Sequence, residues 1–521
     1  MSPEILLAAP VMLPLLGAAV ALLTRHRAGL QLIVTIGTLS VNLVIAALLM
    51  YWISENSILV LQIGKWTPTL GIVLVADRLT GLMLLVSSFV TLAVLIYASA
   101  QTISEHIEST PIAIFHPSYL LLVAGVSNAF LAGDLFNMYV GFEILLAASF
   151  VLLTLGGSAS RVRAATTYVI VSMVSSMLFL VGIASCYAAV GTVNLAEIAA
   201  RMDHVDHHVR LLIEFVLLIA FGLKAAIFPL SAWLPDSYPT APAPVTAVFA
   251  GLLTKVGIYA IIRLETLMFP ESEISTVLLV AAGFSLVIGI LGAIAQTDLK
   301  RVLSFTLVSH MGYMMFGIGI SSQISMTATV FYVAHHITVQ STLFLAAGLI
   351  EHVGGTTNLA KLGGLAKAAP WLAILFFVPA MNLAGVPPLS GFIGKVGLII
   401  GGSHRGSALA WILVSLSVIT SLLTMYAIAK VWNRAFWQET PEQIVVDKPV
   451  TPLLMSGSTA ALVAFSLALT VFAGPLIAYS ETAASTLLER APYVSAVLGD
   501  DAADRLVYNI DDAGGGQVAP E

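Results

Sequence analysis

Charge is scarce in this sequence. Its 521 residues hold 22 Lys and Arg and 28 Asp and Glu, so charged residues make up 10% of the chain, where a soluble globular protein has about 25%. Apolar residues reach 59% and the mean hydropathy is +0.98. No soluble fold can hide that much apolar surface, which excludes an ordinary cytosolic enzyme. Nucleic acid is excluded as a partner, because a net charge of −6 with scattered basic residues leaves no electrostatic footprint. Cysteine is nearly absent too. Cys186 is the only one, and a single thiol forms no internal disulfide and holds no iron–sulfur cluster. No cofactor is expected. The N-terminus lacks a basic stretch before its apolar run, Ile5 to Leu23, so it reads as a first membrane helix rather than a cleaved signal.

Long apolar runs dominate instead. At about 20 residues per crossing, the composition allows roughly 15 membrane helices. Runs between turn signals fall near 5–23, 29–53, 73–99, 115–132, 135–156, 164–190, 211–230, 243–268, 275–296, 299–320, 325–350, 371–401, 408–433 and 452–479. The expected fold is an all-α polytopic membrane protein of about 14 helices. Hydrophilic loops are expected at 54–72, 100–114, 191–210, 351–370 and 434–451, followed by an acidic tail with Gly514 to Gly516 near its tip. One set of loops holds ten basic residues, among them Arg25, Arg27, Arg161, Arg163, Lys300 and Arg301; the other face, counted with Arg263, Arg490 and Arg505, holds seven. The bias places the first loop in the cytoplasm and both termini outside the cell membrane. The 191–210 loop clusters Asp203, His204, Asp206, His207 and His208, but no second ligand group lies nearby in sequence. It reads as a solvated loop, and no metal is expected.

Four charges sit well inside spans: Glu143, Lys224, Lys255 and Lys395. A charge near the bilayer centre costs at least about 2.5–3.5 kcal/mol, so such residues are functional candidates if they face the protein interior. Lys430, near a helix end, is expected to snorkel. Lys224 lies in Phe221-Gly-Leu-Lys-Ala-Ala-Ile-Phe-Pro229, five residues before a proline, and Lys255 follows Pro235, Pro239, Pro242 and Pro244. Lys395 follows Gly385-Val-Pro-Pro-Leu-Ser-Gly-Phe-Ile-Gly394. Spans interrupted in this way read as discontinuous helices, whose irregular backbone is tolerated only inside protein or along a wet cavity. Lys255-Val-Gly-Ile and Lys395-Val-Gly-Leu nearly repeat across 140 residues, which points to a repeat-built transporter. His310, His335 and His336 extend the polar line. An imidazole titrates near pH 6.5 and can pass a proton. An acid at Glu143 and a base at Lys224 suit a charge pair whose making and breaking couples ion movements.

Three stretches carry a resemblance. They are Pro229-Leu-Ser-Ala-Trp-Leu-Pro-Asp-Ser-Tyr-Pro-Thr-Ala-Pro-Ala-Pro-Val, running on to Leu253-Thr-Lys-Val-Gly-Ile-Tyr259 and Arg263; the Gly385 to Lys395 segment; and Phe136-Asn-Met-Tyr-Val-Gly-Phe-Glu143. Over roughly 70–440 the chain resembles the antiporter-like membrane subunits shared by respiratory complex I and Mrp-type multisubunit Na+/H+ antiporters. The resemblance implies 14 helices with two inverted five-helix repeats. It divides the chain into a three-helix segment (1–114), helices four to eight (115–269), helices nine to thirteen (270–438), and a last helix with its tail (439–521). It implies a Glu143–Lys224 pair, a central Lys255, a terminal Lys395 in the broken twelfth helix, and His336, with His335 beside it, in the eleventh. Gln340 departs from the family, whose members often carry Lys there, so the link between the halves leans on His335, His336 and water. Lys395 speaks for the Mrp type, because complex I relatives carry Glu there.

The implied function is proton translocation within a multisubunit monovalent cation (Na+)/proton antiporter, as part of a secondary transporter rather than an enzyme. Its partners are then protons, a monovalent cation, other membrane subunits and the lipid bilayer. The alternative is a proton-pumping membrane subunit of a redox complex (NADH-quinone oxidoreductase or membrane hydrogenase).

Overall fold

A computed structural model describes residues 3–105, 112–157, 159–270, 272–439 and 451–500. Arg505, the Gly514–Gly516 tip and most of the 434–451 loop lie outside the described residues.

The chain is built from helices. In order they are α1 (Ala9–Leu23), α2 (Ala28–Asn56), α3 (Arg78–Glu105), α4 (Ile112–Leu131), α5 (Leu135–Thr154), α6 (Ala159–Val190), α7 (Leu195–Arg201), α8 (His207–Ala225), α9 (Leu234–Ser237), α10 (Ala243–Val248) and α11 (Thr254–Arg263). There follow α12 (Ser275–Ala295), α13 (Leu299–Ile320), α14 (Gln323–Gly354), α15 (Leu365–Ala368), α16 (Pro370–Ala384), α17 (Ser390–Arg405), α18 (Ala408–Trp432), α19 (Leu453–Val471), α20 (Ala473–Leu488) and α21 (Arg490–Leu498). Among the described residues, twelve helical stretches are long and apolar enough to cross a membrane. The expected break in the Lys395 span falls between α16 and α17; the Lys224 span is the unbroken helix α8, and the Lys255 span runs without a break from Ala243 to Met268, its irregularity confined to two π-turns.

Three more expectations need correction. The 54–72 loop is not irregular: β1 (Leu59–Gln62) pairs antiparallel with β2 (Val73–Ala76), from Leu59 opposite Ala76 to Gln62 opposite Val73. This hairpin docks on the turn before α5, where Gly133 N donates to Val73 O at 2.9 Å. A Cβ at Gly133 would lie 2.8 Å from that oxygen, so only glycine permits the approach. The 191–210 loop contains α7, capped by the Asn194 side chain. The last span ends at Val471, not 479, and α20 starts at Ala473.

Burial sorts the helices. The strongest apolar windows of α2, α6 and α18 are 28%, 39% and 39% buried, whereas those of the 243–268 helix and of α14 are fully buried. The first group therefore presents apolar side chains outward, and the second is enclosed by the rest of the protein. Close packing around the enclosed helices relies on small residues, as in membrane helix pairs generally. Along α17, Gly394 sits against Tyr332, Gly397 against Ala328 and Gly401 against Ser325, all on α14.

Two bridges recur at one spacing. Asp134 pairs with Asn194, and Asp298 with Asn358; each member of the second bridge lies 164 residues after its counterpart. Asp134 accepts from Asn137 N and caps α5, and Asp298 accepts from Arg301 N and caps α13. The starts of α6 and α14, at 159 and 323, keep the same spacing. The Lys-Val-Gly echo, 140 residues apart, is out of register with it: Lys255 opens α11, while Lys395 lies inside the second half of a broken helix.

Candidate functional site

Lys255 is fully buried. The helix carrying it is irregular on both sides, with π-turns at Phe249–Leu253 and Leu264–Met268. Such turns leave carbonyls without their usual i→i+4 partner. Lys255 Nζ donates to one of them, Ala250 O, at 2.6 Å. Ser341 on α14 donates to Ala247 O at 3.1 Å and ties the same segment to the central helix.

Next to it lies a histidine cluster. His310, His335 and His336 are all fully buried. His310 stacks on His336 with centroids 5.1 Å apart, and its Nδ1 shares a 2.7 Å hydrogen bond with the Tyr332 hydroxyl. Among the described residues, nothing hydrogen-bonds to either ring nitrogen of His336 or to His310 Nε2. Lys255 is within electrostatic reach of His310 and His336. His335 Nδ1 meets Ser390 Oγ at 2.9 Å, and Ser390 in turn meets Asn382 at 3.2 Å. Gln340 points elsewhere, its Nε2 donating to Leu303 O at 2.8 Å.

Lys395 completes the line. Gly385 has φ +84° and ends α16 in the left-handed region, which frees the last carbonyls of that helix. Lys395 Nζ takes them, donating to Leu383 O and Ala384 O at 3.1 Å each and to Ser421 Oγ at 3.0 Å. It also sits 5.0 Å from the centre of the Tyr313 ring, a cation–π distance.

On the other side of Lys255, α8 ends at Ala225 in the same manner, with Ala226 in the left-handed region. Gly257 on α11 packs onto Ala225, where a Cβ would meet the Ala225 nitrogen at 2.7 Å. Lys224 and Lys255 therefore lie at nearly one level. Lys224 Nζ has no hydrogen-bond partner among the described residues and rests 6.0 Å from the Phe142 ring centre. It borders a cavity of ≈ 10 Å³ that is also lined by Tyr168, Ser172, Ser175 and Tyr238, room for about one water. Glu143 Oε1 is likewise unpartnered among the described residues. No ion pair closes between Glu143 and Lys224, although they feel each other's charge.

Sequence reasoning left four participants unassigned. His310 was visible, but its place against His336 depends on how α13 packs on α14. Tyr332, Ser390 and Asn382 look like ordinary helix residues until their partners are known. Arg263, counted with the loops, is buried: it pairs with Asp77 at 2.7 Å and reaches Thr80 and Tyr259. Lys430 donates to Ile294 O and Gln296 O at 2.8 Å, closing the end of α12. In the 191–210 segment, Asp203 is engaged by Arg490 at 2.8 Å and Arg210 at 3.7 Å.

One end of the bundle holds a vestibule of ≈ 680 Å³ whose lining includes His116, Arg161, Pro242, Lys300, Glu351 and His352. Lys300 and Glu351 form a 2.6 Å ion pair in its wall.

Buried ionisable side chains inside an apolar helical bundle are the mark of ion-translocating membrane proteins. Residues 132–424 match the family described as NADH:quinone oxidoreductase/Mrp antiporter, TM, and the chain belongs to that family. It is 39% identical to a Na(+)/H(+) antiporter subunit of Alkalihalophilus pseudofirmus over 498 residues, covering 94% of this chain and 98% of that one. It is 35% identical to the subunit of the same name from Bacillus subtilis over 497 residues, covering 94% and 98%. Among solved structures, a chain of the Mrp complex from Dietzia sp. DQ12-45-1b superposes with TM-score 0.88 at 32% identity, covering 96% of this chain and 100% of that one. A chain of respiratory complex I from Thermus thermophilus superposes with TM-score 0.79 at 24% identity, over 93% and 99%, a likeness of fold.

Proposed function

We propose that this chain is the proton-translocating membrane subunit of a multisubunit Na+/H+ antiporter, moving protons through Glu143, Lys224, Lys255, His336, His335 and Lys395. The observation that carries the reading is the row of buried, incompletely hydrogen-bonded bases between Lys255 and Lys395. Ionisable groups of this kind are too costly in a membrane interior to persist as packing alone. The relatives' names, which make them parts of Na(+)/H(+) antiporters, support the antiporter assignment over a redox pump.

In this reading the first repeat spans 115–269 and the second 270–438, and the recurrence of capped bridges at 164 residues supports that division. The vestibule beside Arg161 and Lys300 is the cytoplasmic mouth, and the termini lie outside. Protonation of Lys224 and closure onto Glu143 would alternate with proton passage to Lys255 and then through His336 and His335 to Lys395. The cation moves within the assembled complex.

The test is exchange in membrane vesicles carrying the whole complex. Lys224→Ala or Lys255→Ala abolishes cation/proton exchange while the complex still assembles. Wild-type exchange in either variant overturns the proton path. Purification of the intact complex decides the assembly: small membrane subunits alone support the antiporter, and flavin and iron–sulfur subunits overturn it.

A further inference from the structure

The helix that carries Lys255 has two unlike ends. Its first turn, with Pro242, Ala243, Pro244 and Val245, lines the vestibule. Its far end carries Arg263, which is 4% exposed. Lys255, Tyr259 and Arg263 follow one another at i, i+4 and i+8 along α11, a spacing that makes successive side chains neighbours on a helix. At 1.5 Å rise per residue, Arg263 lies roughly 12 Å beyond Lys255. That side of the helix leads from Lys255 straight away from the vestibule.

The groups at the far end are saturated with one another. Arg263 Nη1 meets Asp77 Oδ2 at 2.7 Å. Its Nη2 donates to Thr80 Oγ1 at 3.2 Å and to the Tyr259 hydroxyl at 3.0 Å, and its Nε donates to the same hydroxyl at 3.1 Å. The Tyr259 oxygen gives its own hydrogen to Phe130 O at 2.6 Å. Asp77 Oδ1 accepts from Thr80 N at 3.0 Å. The Tyr493 ring of α21 covers the guanidinium, with its centre 5.5 Å from Cζ. Among the described residues, no buried side-chain nitrogen or oxygen of Asp77, Thr80, Tyr259 or Arg263 lacks a partner, whereas Lys224, His310 and His336 each leave at least one nitrogen without any.

That contrast has a chemical consequence. A proton hops only where a lone pair is free to take it and a donor can then release it. The Tyr259 oxygen is engaged by two N–H groups of Arg263, and a guanidinium does not deprotonate in proteins. Lysine would pair with Asp77 as well, but a buried lysine gives up its proton readily. A fixed arginine is one of the electrostatic barriers by which membrane pores exclude protons. The neighbouring charges open no way round it. Arg78, next to Asp77 in sequence, is a second guanidinium and donates to Ser54 O at 2.9 Å. Glu265 is buried, but it lies two residues beyond Arg263 and so about 200° round the helix.

We propose that Arg263, held by Asp77, Thr80 and Tyr259, is a proton barrier. It closes the far end of the helix and confines a proton on Lys255 to the route through the histidines toward Lys395. The barrier rests on the proton path proposed above.

The test is the passive proton permeability of vesicles carrying the whole complex, under an imposed pH gradient in choline buffer free of alkali cations. Asp77→Asn/Arg263→Gln removes the guanidinium and strands no charge; Arg263→Gln alone, whose new amide can still donate to Asp77, is the second variant. The expected result is a proton leak at least about tenfold above wild type, one decade of rate, which is lost when Lys255→Ala is added. An assembled variant as tight as wild type overturns the barrier. A leak that survives Lys255→Ala runs elsewhere and overturns it too. So does a parallel leak of Na+ or of a small neutral solute, measured separately, which marks a structural breach. The leak needs no exchange. If Lys255→Ala alone keeps wild-type exchange while the leak behaves as expected, the path reading fails and the barrier beside Lys255 stands.

Discussion

His310 stacks on His336 with 5.1 Å between ring centroids and 29° between ring planes, and three of their four nitrogens have no hydrogen-bond partner among the described residues. The fourth, His310 Nδ1, is held by Tyr332. The pair thus has a fixed orientation on one side and unused hydrogen-bonding capacity on the other. On the proton path proposed above, we propose that His310 joins the row.

His310→Ala should therefore reduce exchange by about 10²-fold or more, the scale on which a positioned proton-transfer group acts. The loss in the His310→Ala/His336→Ala double variant should be far from additive, as for residues acting as a unit. Vesicle exchange assays of the two single variants and the double variant measure this. Independent, multiplying losses would place His310 outside the row.

The amide of Gln340 is engaged by Leu303 O. Gln340→Leu should keep exchange within about threefold of wild type and lower stability by about 1 kcal/mol, the worth of one hydrogen bond. Thermal unfolding in detergent and vesicle exchange report the two effects separately. Abolished exchange would route the link through Gln340 after all.

The Asp77–Arg263 pair is nearly inaccessible, with side chains 3% and 5% exposed. Removing one partner strands the other charge. Asp77→Ala should cost about 3–5 kcal/mol, and the Asp77→Ala/Arg263→Leu double variant clearly less. The melting temperature of the purified complex is the readout, and equal loss in the single and double variants would refute the stranded-charge explanation.

Gly391 packs where α17 meets the end of α16. A Cβ there would collide with Asn382 O and lie 3.0 Å from the His335 ring. Gly391→Val should destabilise the protein by about 1–3 kcal/mol and separate His335 from Ser390. Ser390→Ala, which leaves the packing intact, should lower exchange with little change in melting temperature. If Ser390→Ala retains full exchange, the His335–Ser390 contact is structural.

Much of this protein is legible in one dimension. Lys224, Lys255 and Lys395 stand out because a charge inside an apolar run has no inexpensive explanation, and the prolines before Lys395 mark the interruption of its helix. The span limits follow from hydropathy alone, since the bilayer imposes a length on every crossing. Where hydropathy is ambiguous the reading slips: the β1–β2 hairpin passes for a loop, and the break after Val471 is invisible because both sides are apolar.

The sequence by itself determined the class of protein, the helical crossings and the charged residues the membrane could not ignore. Tertiary structure alone decided which neutral-looking groups join them. His310 meets His336, and Ser390 links His335 to Asn382, only after α13, α14, α16 and α17 are packed. The reason is that periodicity says which residues share a face of one helix, whereas a proton path is made of faces from several. Which faces meet depends on close approaches such as Gly257 on Ala225 and Gly394 on Tyr332, which no single segment encodes.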